Sequence, residues 1–168
     1  MIDVVVINKS ADTSDVHLML DNLTLSGNVY KIYYVADRCS EDFISALYSF
    51  QDERLEIIVA DYEYKGRRTS SLRNMGYIRA KEDFGNINGV MFVDGDRYFV
   101  EGSSDAIDEG VVNNVLLDSV RYYDDNFLHL MGTQIVNMFY SACVYLPKDV
   151  SMKLEKHTYK GLLWNEDI

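Results

Sequence analysis

Val90-Met91-Phe92-Val93-Asp94-Gly95-Asp96 is the stretch on which the fold turns. Four consecutive apolar residues without polar alternation read as a strand buried on both faces, the habit of a parallel sheet covered by helices. The polar residues begin where the strand ends. Two carboxylates separated by one glycine can approach a single hard cation, because glycine lets the backbone turn tightly and lets a ligand come close. Carboxylate and water oxygens suit Mn2+ or Mg2+, and such ions are commonly shared with phosphate oxygens. Alone, Asp-Gly-Asp is a common polar turn. Its place after a buried strand gives it chemical content, with Asp94 and Asp96 as candidate metal ligands.

Upstream, residues 2–7 (Ile-Asp-Val-Val-Val-Ile) form another β-branched run. It has no basic lead and no cleavage pattern, so it reads as a first strand and not a signal peptide. Residues 8–14 are loop-like, and Thr13 or Ser14 caps a helix to about Leu25 that carries Val16, Met19, Leu20 and Leu23 on one face. Ser26-Gly27-Asn28 stops it. A second strand is expected over 30–35, then a helix opened by Ser40 or Asp42 and running to about Phe50, with Phe43, Ile44, Leu47 and Tyr48. Residues 55–60 read as a third strand. Residues 69–81 read as a third helix, with Leu72, Met75 and Ile78 spaced three apart. A glycine-bounded turn over 85–89 leads into 90–93.

This alternation predicts an α/β domain with a mainly parallel central sheet flanked by helices. In open sheets of that kind ligands sit beyond the carboxyl ends of the strands. The polar residues to examine are therefore Asn8, Lys9, Asp37, Asp61, Asp94 and Asp96. Past Asp96 the pattern thins: a short strand is expected over 98–100, strand or buried helix over 134–146 ended by Pro147, and a short helix over 150–157. Residues 105–118 and 120–125 have no decisive pattern. With neither repeat nor linker, a single domain is expected over 1–168.

The 168 residues are 48% hydrophobic with one proline, enough for a real core and unlike a disordered chain. A net charge of −11 argues against a general nucleic-acid binder, since it repels a polyanion at long range. No apolar run approaches the roughly 18 residues of a membrane span. Cys39 and Cys143 lack metal-ligand spacing; two reduced thiols in a cytoplasmic protein are expected, with a disulfide as the weaker alternative. Charge is unevenly placed: residues 65–81 hold Lys65, Arg67, Arg68, Arg73, Arg79 and Lys81 and no acid. A diphosphate needs such cations or helix N-terminal amides; the plainer reading is a solvated helix face with Arg79 and Lys81 on it.

Arg68-Thr69-Ser70-Ser71-Leu72-Arg73-Asn74-Met75-Gly76, followed after a gap by 90–96, resembles the central signature of GT-A-fold glycosyltransferases of the family-2-like kind. Val35-Ala36-Asp37-Arg38-Cys39-Ser40-Glu41-Asp42 is similar to that family's Val-Asp-Asp-Gly-Ser-x-Asp stretch, with one extra residue and the first aspartate missing. The resemblance implies a GT-A-type, Rossmann-like sheet. It makes residues 1–100 the nucleotide-sugar-binding half and 101–168 a short acceptor-side half. It implies that Asp37 accepts from the base, typically uracil, that Ile7 and Asn8 line base and ribose, and that Arg68 and Arg73 sit by the nucleotide or its diphosphate. Asp94 would face ribose or metal-bound water, and Asp96 the metal. Asp61 is a weaker base or ribose candidate. Lys160-Gly161-Leu162-Leu163-Trp164-Asn165-Glu166-Asp167-Ile168 resembles the family's acceptor-side element. There Asp167, in preference to Glu166, would be the general base and Trp164 would stack on a sugar or base. The plainer reading is an acidic, frayed chain end.

His17 reads as a surface residue of the first helix, and His129 and His157 more as ordinary residues than as a third metal ligand. Most of the 13 tyrosines read as core and rim packing. The function expected from the resemblance is metal-dependent transfer of a sugar from a UDP-sugar to an acceptor hydroxyl, with inversion. The acceptor would be a glycan, a protein or a modified nucleic-acid base. The rivals are a partial, non-catalytic GT-A fold that binds nucleotide or a protein partner, and a nucleotidyltransferase. The last usually carries a glycine-rich loop after its first strand, which residues 8–12 lack.

Overall fold

Strand β1 (Ile2–Asn8) is buried along its whole length, and the other elements are arranged around it. In the computed structural model the described residues are 1–8, 13–60, 68–95, 104–105, 107–108 and 143–147, without the side chains of 13–15, 68–70 and 143–147. Parallel neighbours need a long crossover, and each here is a helix. Helix α1 (Thr13–Leu25) leads to β2 (Val29–Asp37), α2 (Glu41–Ser49) to β3 (Leu55–Ala60), and α3 (Arg68–Glu82) to β4 (Gly89–Asp94). Among the described residues the sheet has five strands in the order β3-β2-β1-β4-β5, with β5 spanning Cys143–Pro147. The first four are mutually parallel and β5 runs antiparallel to β4.

β1 separates two cores by the period-2 alternation of its side chains. Ile2, Val4 and Val6 meet Val16, Met19, Leu20 and Leu23 of α1 and Phe43 and Leu47 of α2. Val5 and Ile7 meet Leu72, Tyr77 and Ala80 of α3. The α1 face is as the sequence predicts. Ser40 is the N-cap of α2, its hydroxyl accepting from the Phe43 N–H at 3.2 Å.

Helix α3 differs from its expected face. Leu72 is buried, but Met75 is only partly so and Ile78 is 49% exposed. The inner face is Leu72, Arg73, Gly76, Tyr77 and Ala80. Steps of three residues turn 300°, so a 72-75-78 series drifts off any one face, whereas mixed steps of three and four hold it. Tyr48 of α2 is likewise 63% exposed, five positions and about 140° round from Phe43. β2 outruns its expected end because Ala36 and Asp37 pair with Val59 and Ala60. Of residues 134–146, only the last four are described, as part of β5, and Pro147 lies within that strand opposite Gly89. The expectations for 98–100, 109–118, 120–125 and 150–157 lie outside the described residues.

Gly76 lets α3 approach the sheet, since a Cβ there would stand 2.3 Å from Val5 Cγ1. Asp108 ties a distant segment to the α1–β2 turn through the Ser26 hydroxyl and, at 3.3 Å, the Asn28 N–H. Burial pushes the Asp108 carboxyl up, but these hydrogen bonds and the Gly27 N–H outweigh it and hold it below the ordinary range.

At the amino end of β1, Asp3 is fully buried, and neither of its carboxyl oxygens has a hydrogen-bond partner among the described residues. Nearby, Asp83 accepts from the Tyr33 hydroxyl and pairs with Lys31 Nζ at 3.0 Å. Burial, then the charge of Asp83, push the Asp3 carboxyl up to about 7 against the pull of the Lys31 and N-terminal ammonium groups.

Two predictions follow from this packing. Gly76→Ala should destabilise the fold by about 1–3 kcal/mol through overpacking against Val5, lowering the urea midpoint. Asp3 binds its proton more tightly folded than unfolded, so its contribution is most favourable below the ordinary value of 3.8 and is lost as pH rises to about 7. Asp3→Asn should therefore raise the melting temperature at pH 8 and change it little at pH 4.

Candidate functional site

The carboxyl edge of the sheet gathers polar ends from three strands. Asn8 lies beside Ala36, next to Asp37, and Ile7 lies beside Asp94. Asn8 and Asp37 are buried, while the Asp94 side chain is 26% exposed.

Backbone geometry holds the edge together. The Gly95 N–H donates to the Ile7 carbonyl at 2.7 Å, carrying the β1–β4 pairing one residue past the end of β4. A Cβ on Gly95 would fall 2.4 Å from Asn8 Cβ and 2.6 Å from Asn8 Cγ, so the close approach requires glycine. The Asn8 amide donates through Nδ2 to the Tyr34 hydroxyl at 2.9 Å. The Cys39 thiol donates to the carbonyls of Asn8 at 3.6 Å and Asp37 at 3.7 Å, joining the ends of β1 and β2. Burial pushes the Tyr34 phenol well above its ordinary range, so it stays neutral.

Arg38 has φ 49°, the left-handed region, and its Nε lies 3.4 Å from Asp37 Oδ1. Glycine adopts that conformation freely, whereas arginine does so at a cost of about 1–2 kcal/mol.

Arg73 is among the most deeply buried side chains, at 1% exposure. It reaches from the inner face of α3 to the end of β4, where Nη2 lies 2.6 Å from Asp94 Oδ1. A guanidinium survives such burial only when paired. Arg79, by contrast, is 49% exposed and pairs with Glu56 at 2.9 Å, as a member of an outer face. Lys81 is half-buried.

Among the described residues, no group of three or more histidine, cysteine or acidic side chains converges on one point. A magnesium- or manganese-type site does not require one, since such ions take one or two carboxylates and complete their shell with phosphate and water. Asp94, partly exposed beside a glycine, fits that donor set, with one of its oxygens engaged by Arg73.

Of the residues singled out in the sequence, Asn8, Asp37, Arg73 and Asp94 are brought to one edge. Ile7 lends the edge its carbonyl while its side chain packs into the α3-side core. Lys9, Asp61, Lys65, Arg67, Asp96, His129, His157, Trp164, Glu166 and Asp167 lie outside the described residues, as do the side chains of Arg68 and Cys143. His17 is half-buried, its ring 6.1 Å from that of Phe50. Tyr34 and Cys39 escaped sequence reasoning. Nothing local marks one tyrosine in an apolar strand as a polar anchor.

The likeness to known proteins is one of fold. No protein-family profile matches the chain, and no curated protein matches it in sequence. The chain is similar to 4-diphosphocytidyl-2C-methyl-D-erythritol synthase from Anaerococcus prevotii DSM 20548, a nucleotidyltransferase, at 14% identity and TM-score 0.52, over 98% of this chain and 78% of that one. Weaker likenesses are to the galactosyltransferase LgtC in complex with donor and acceptor sugar analogs, at 12% identity and TM-score 0.49 over 94% of this chain, and to S. aureus TarS, at 18% and 0.47 over 64%. This chain spans 61% of LgtC and 19% of TarS.

The burial asymmetry of the ion pair gives a prediction. Asp94→Ala deprives a buried guanidinium of this carboxylate and should cost about 2–4 kcal/mol. Arg73→Met leaves an aspartate that water can reach and should cost less. Urea unfolding of both variants measures the difference, and the reverse order would contradict this account of the pair.

Proposed function

We propose that the chain is a nucleotide-sugar glycosyltransferase domain of the GT-A type, moving a sugar from a uridine-diphosphate donor to an acceptor hydroxyl with inversion. The observation that carries the reading is the meeting of Asn8, Asp37 and Asp94-Gly95 at the carboxyl edge, with Arg73 anchored behind Asp94. The spacing of Arg73-Asn74-x-Gly76 ahead of Asp94-Gly95-Asp96 supports it.

In this reading Asn8 and Asp37 receive the nucleoside, and Asp94 and Asp96 hold Mn2+ or Mg2+ against the diphosphate. The ion, when bound, neutralises charge on the departing diphosphate. Arg73 keeps Asp94 oriented and adds positive charge behind the site; with Arg68 it completes the cationic side. Asp167, or Glu166, removes the acceptor proton opposite the leaving group, and Trp164 supports the acceptor sugar.

A second reading, nucleotidyl transfer, is favoured by the likeness to the erythritol-phosphate-type synthase. The two differ in product: a glycosyltransferase turns over a sugar nucleotide to release UDP, and a nucleotidyltransferase releases pyrophosphate from a nucleoside triphosphate.

A thermal-shift screen of nucleoside diphosphates, triphosphates and sugar nucleotides, with and without manganese, tests the assignment. UDP or UDP-sugars with manganese should raise the melting temperature most. Asp96→Asn should abolish the manganese-dependent part. Equal shifts for all nucleotides, or an undiminished manganese effect in Asp96→Asn, would remove this reading.

A further inference from the structure

Asn8 is gripped more firmly than a loop residue at a strand end requires. The residue is 7% exposed, its Nδ2 donates to Tyr34, its carbonyl receives the Cys39 thiol, and Gly95 lies so close that a Cβ there would collide with it. Tyr34 itself is fully buried, in the core that packs under α1 and α2, with its ring 6.3 Å from that of Phe43. A phenylalanine would fill the same space. The hydroxyl brings a polar atom into that core, and its bond to Asn8 gives that atom a use.

An asparagine amide presents a donor and an acceptor of nearly the same shape, so an unheld side chain can flip and read a ligand either way. One Nδ2 proton is committed to Tyr34, which leaves Oδ1 and the second Nδ2 proton to meet a ligand. We propose that Tyr34 is a positioning residue: its buried hydroxyl holds the Asn8 amide in place at the carboxyl edge, so that the amide meets a polar group of the bound nucleoside. The inference rests on the nucleotide-binding reading above and deepens it. It fixes the place of one polar contact and assigns that positioning to a residue that touches no ligand. Cys39 and Gly95 fix the backbone and the Cβ of Asn8, whereas Tyr34 alone of the three acts on the amide group.

The test is a double-mutant cycle on full-length protein, with UDP and saturating manganese titrated calorimetrically into the parent, Tyr34→Phe, Asn8→Ala and the double variant. One lost neutral hydrogen bond should weaken UDP binding about fivefold in Tyr34→Phe. The same change in the Asn8→Ala background should alter affinity less than about twofold, because the group that Tyr34 orients is gone. A general packing role would weaken binding equally in both backgrounds and would overturn the proposal, as would full affinity in Tyr34→Phe. Nitrogen-edited NMR of the side-chain amides adds a readout that packing alone would not move. The Asn8 NH2 pair should show one slowly exchanging proton in the parent and lose that protection in Tyr34→Phe; protection unchanged in Tyr34→Phe also overturns it. If the parent fails to bind UDP, the nucleotide reading falls and takes this inference with it. If the parent binds and the cycle is additive, only the role of Tyr34 falls.

Discussion

Complete burial of β1 is the constraint from which the rest of the molecule follows. With β2 on one side, β4 on the other and helices against both faces, the strand has no water-facing surface along its length. Its interior positions must be apolar, and Val4, Val5, Val6 and Ile7 meet that demand. Polar side chains are tolerated only near its ends, and those are Asp3 and Asn8. The same logic holds for β4, whose first polar side chain is Asp94. Chemistry is thereby confined to the sheet's edges, and the parallel direction of the strands puts Asn8, Asp37 and Asp94 on the same one.

The two polar ends of β1 are settled in opposite ways. Asp3 meets its burial by taking up a proton beside the Lys31–Asp83–Tyr33 cluster, so its comfort depends on pH. Asn8, which cannot ionise, meets it with a hydrogen bond to a buried phenol that stays neutral. Arg73 and Asp94 form a third arrangement, in which a buried charge is tolerated because the opposite charge is brought from another element. In an acidic chain of net charge −11, Arg73 is thus buried behind the carboxyl edge of the sheet.

The strand-helix alternation was legible through Asp94 because apolar runs, caps and turn residues are local signals. Ser40 as the α2 cap and Val16, Met19, Leu20 and Leu23 as the α1 face show how far such signals reach. They misled at Met75 and Ile78, where regular spacing imitated a face that the helix period does not support. They fell short at Ala36 and Asp37, which are strand because β3 offers them partners. The left-handed backbone at Arg38 was hidden because glycine, the residue that announces it, is absent there.

The sequence by itself determined the elements, the sheet class and the polar residues closing β1, β2 and β4, including the Asp94-Gly95 turn beyond the last of them. Each of these depends on neighbours a few positions away. Only the tertiary structure decided that β1 lies between β2 and β4, that Arg73 meets Asp94 across 21 positions, and that Tyr34 holds Asn8 across 26. Those pairings depend on which strands become neighbours and on which face of α3 turns inward. Strand order and helix rotation are properties of the packed whole, carried by no single stretch of the chain.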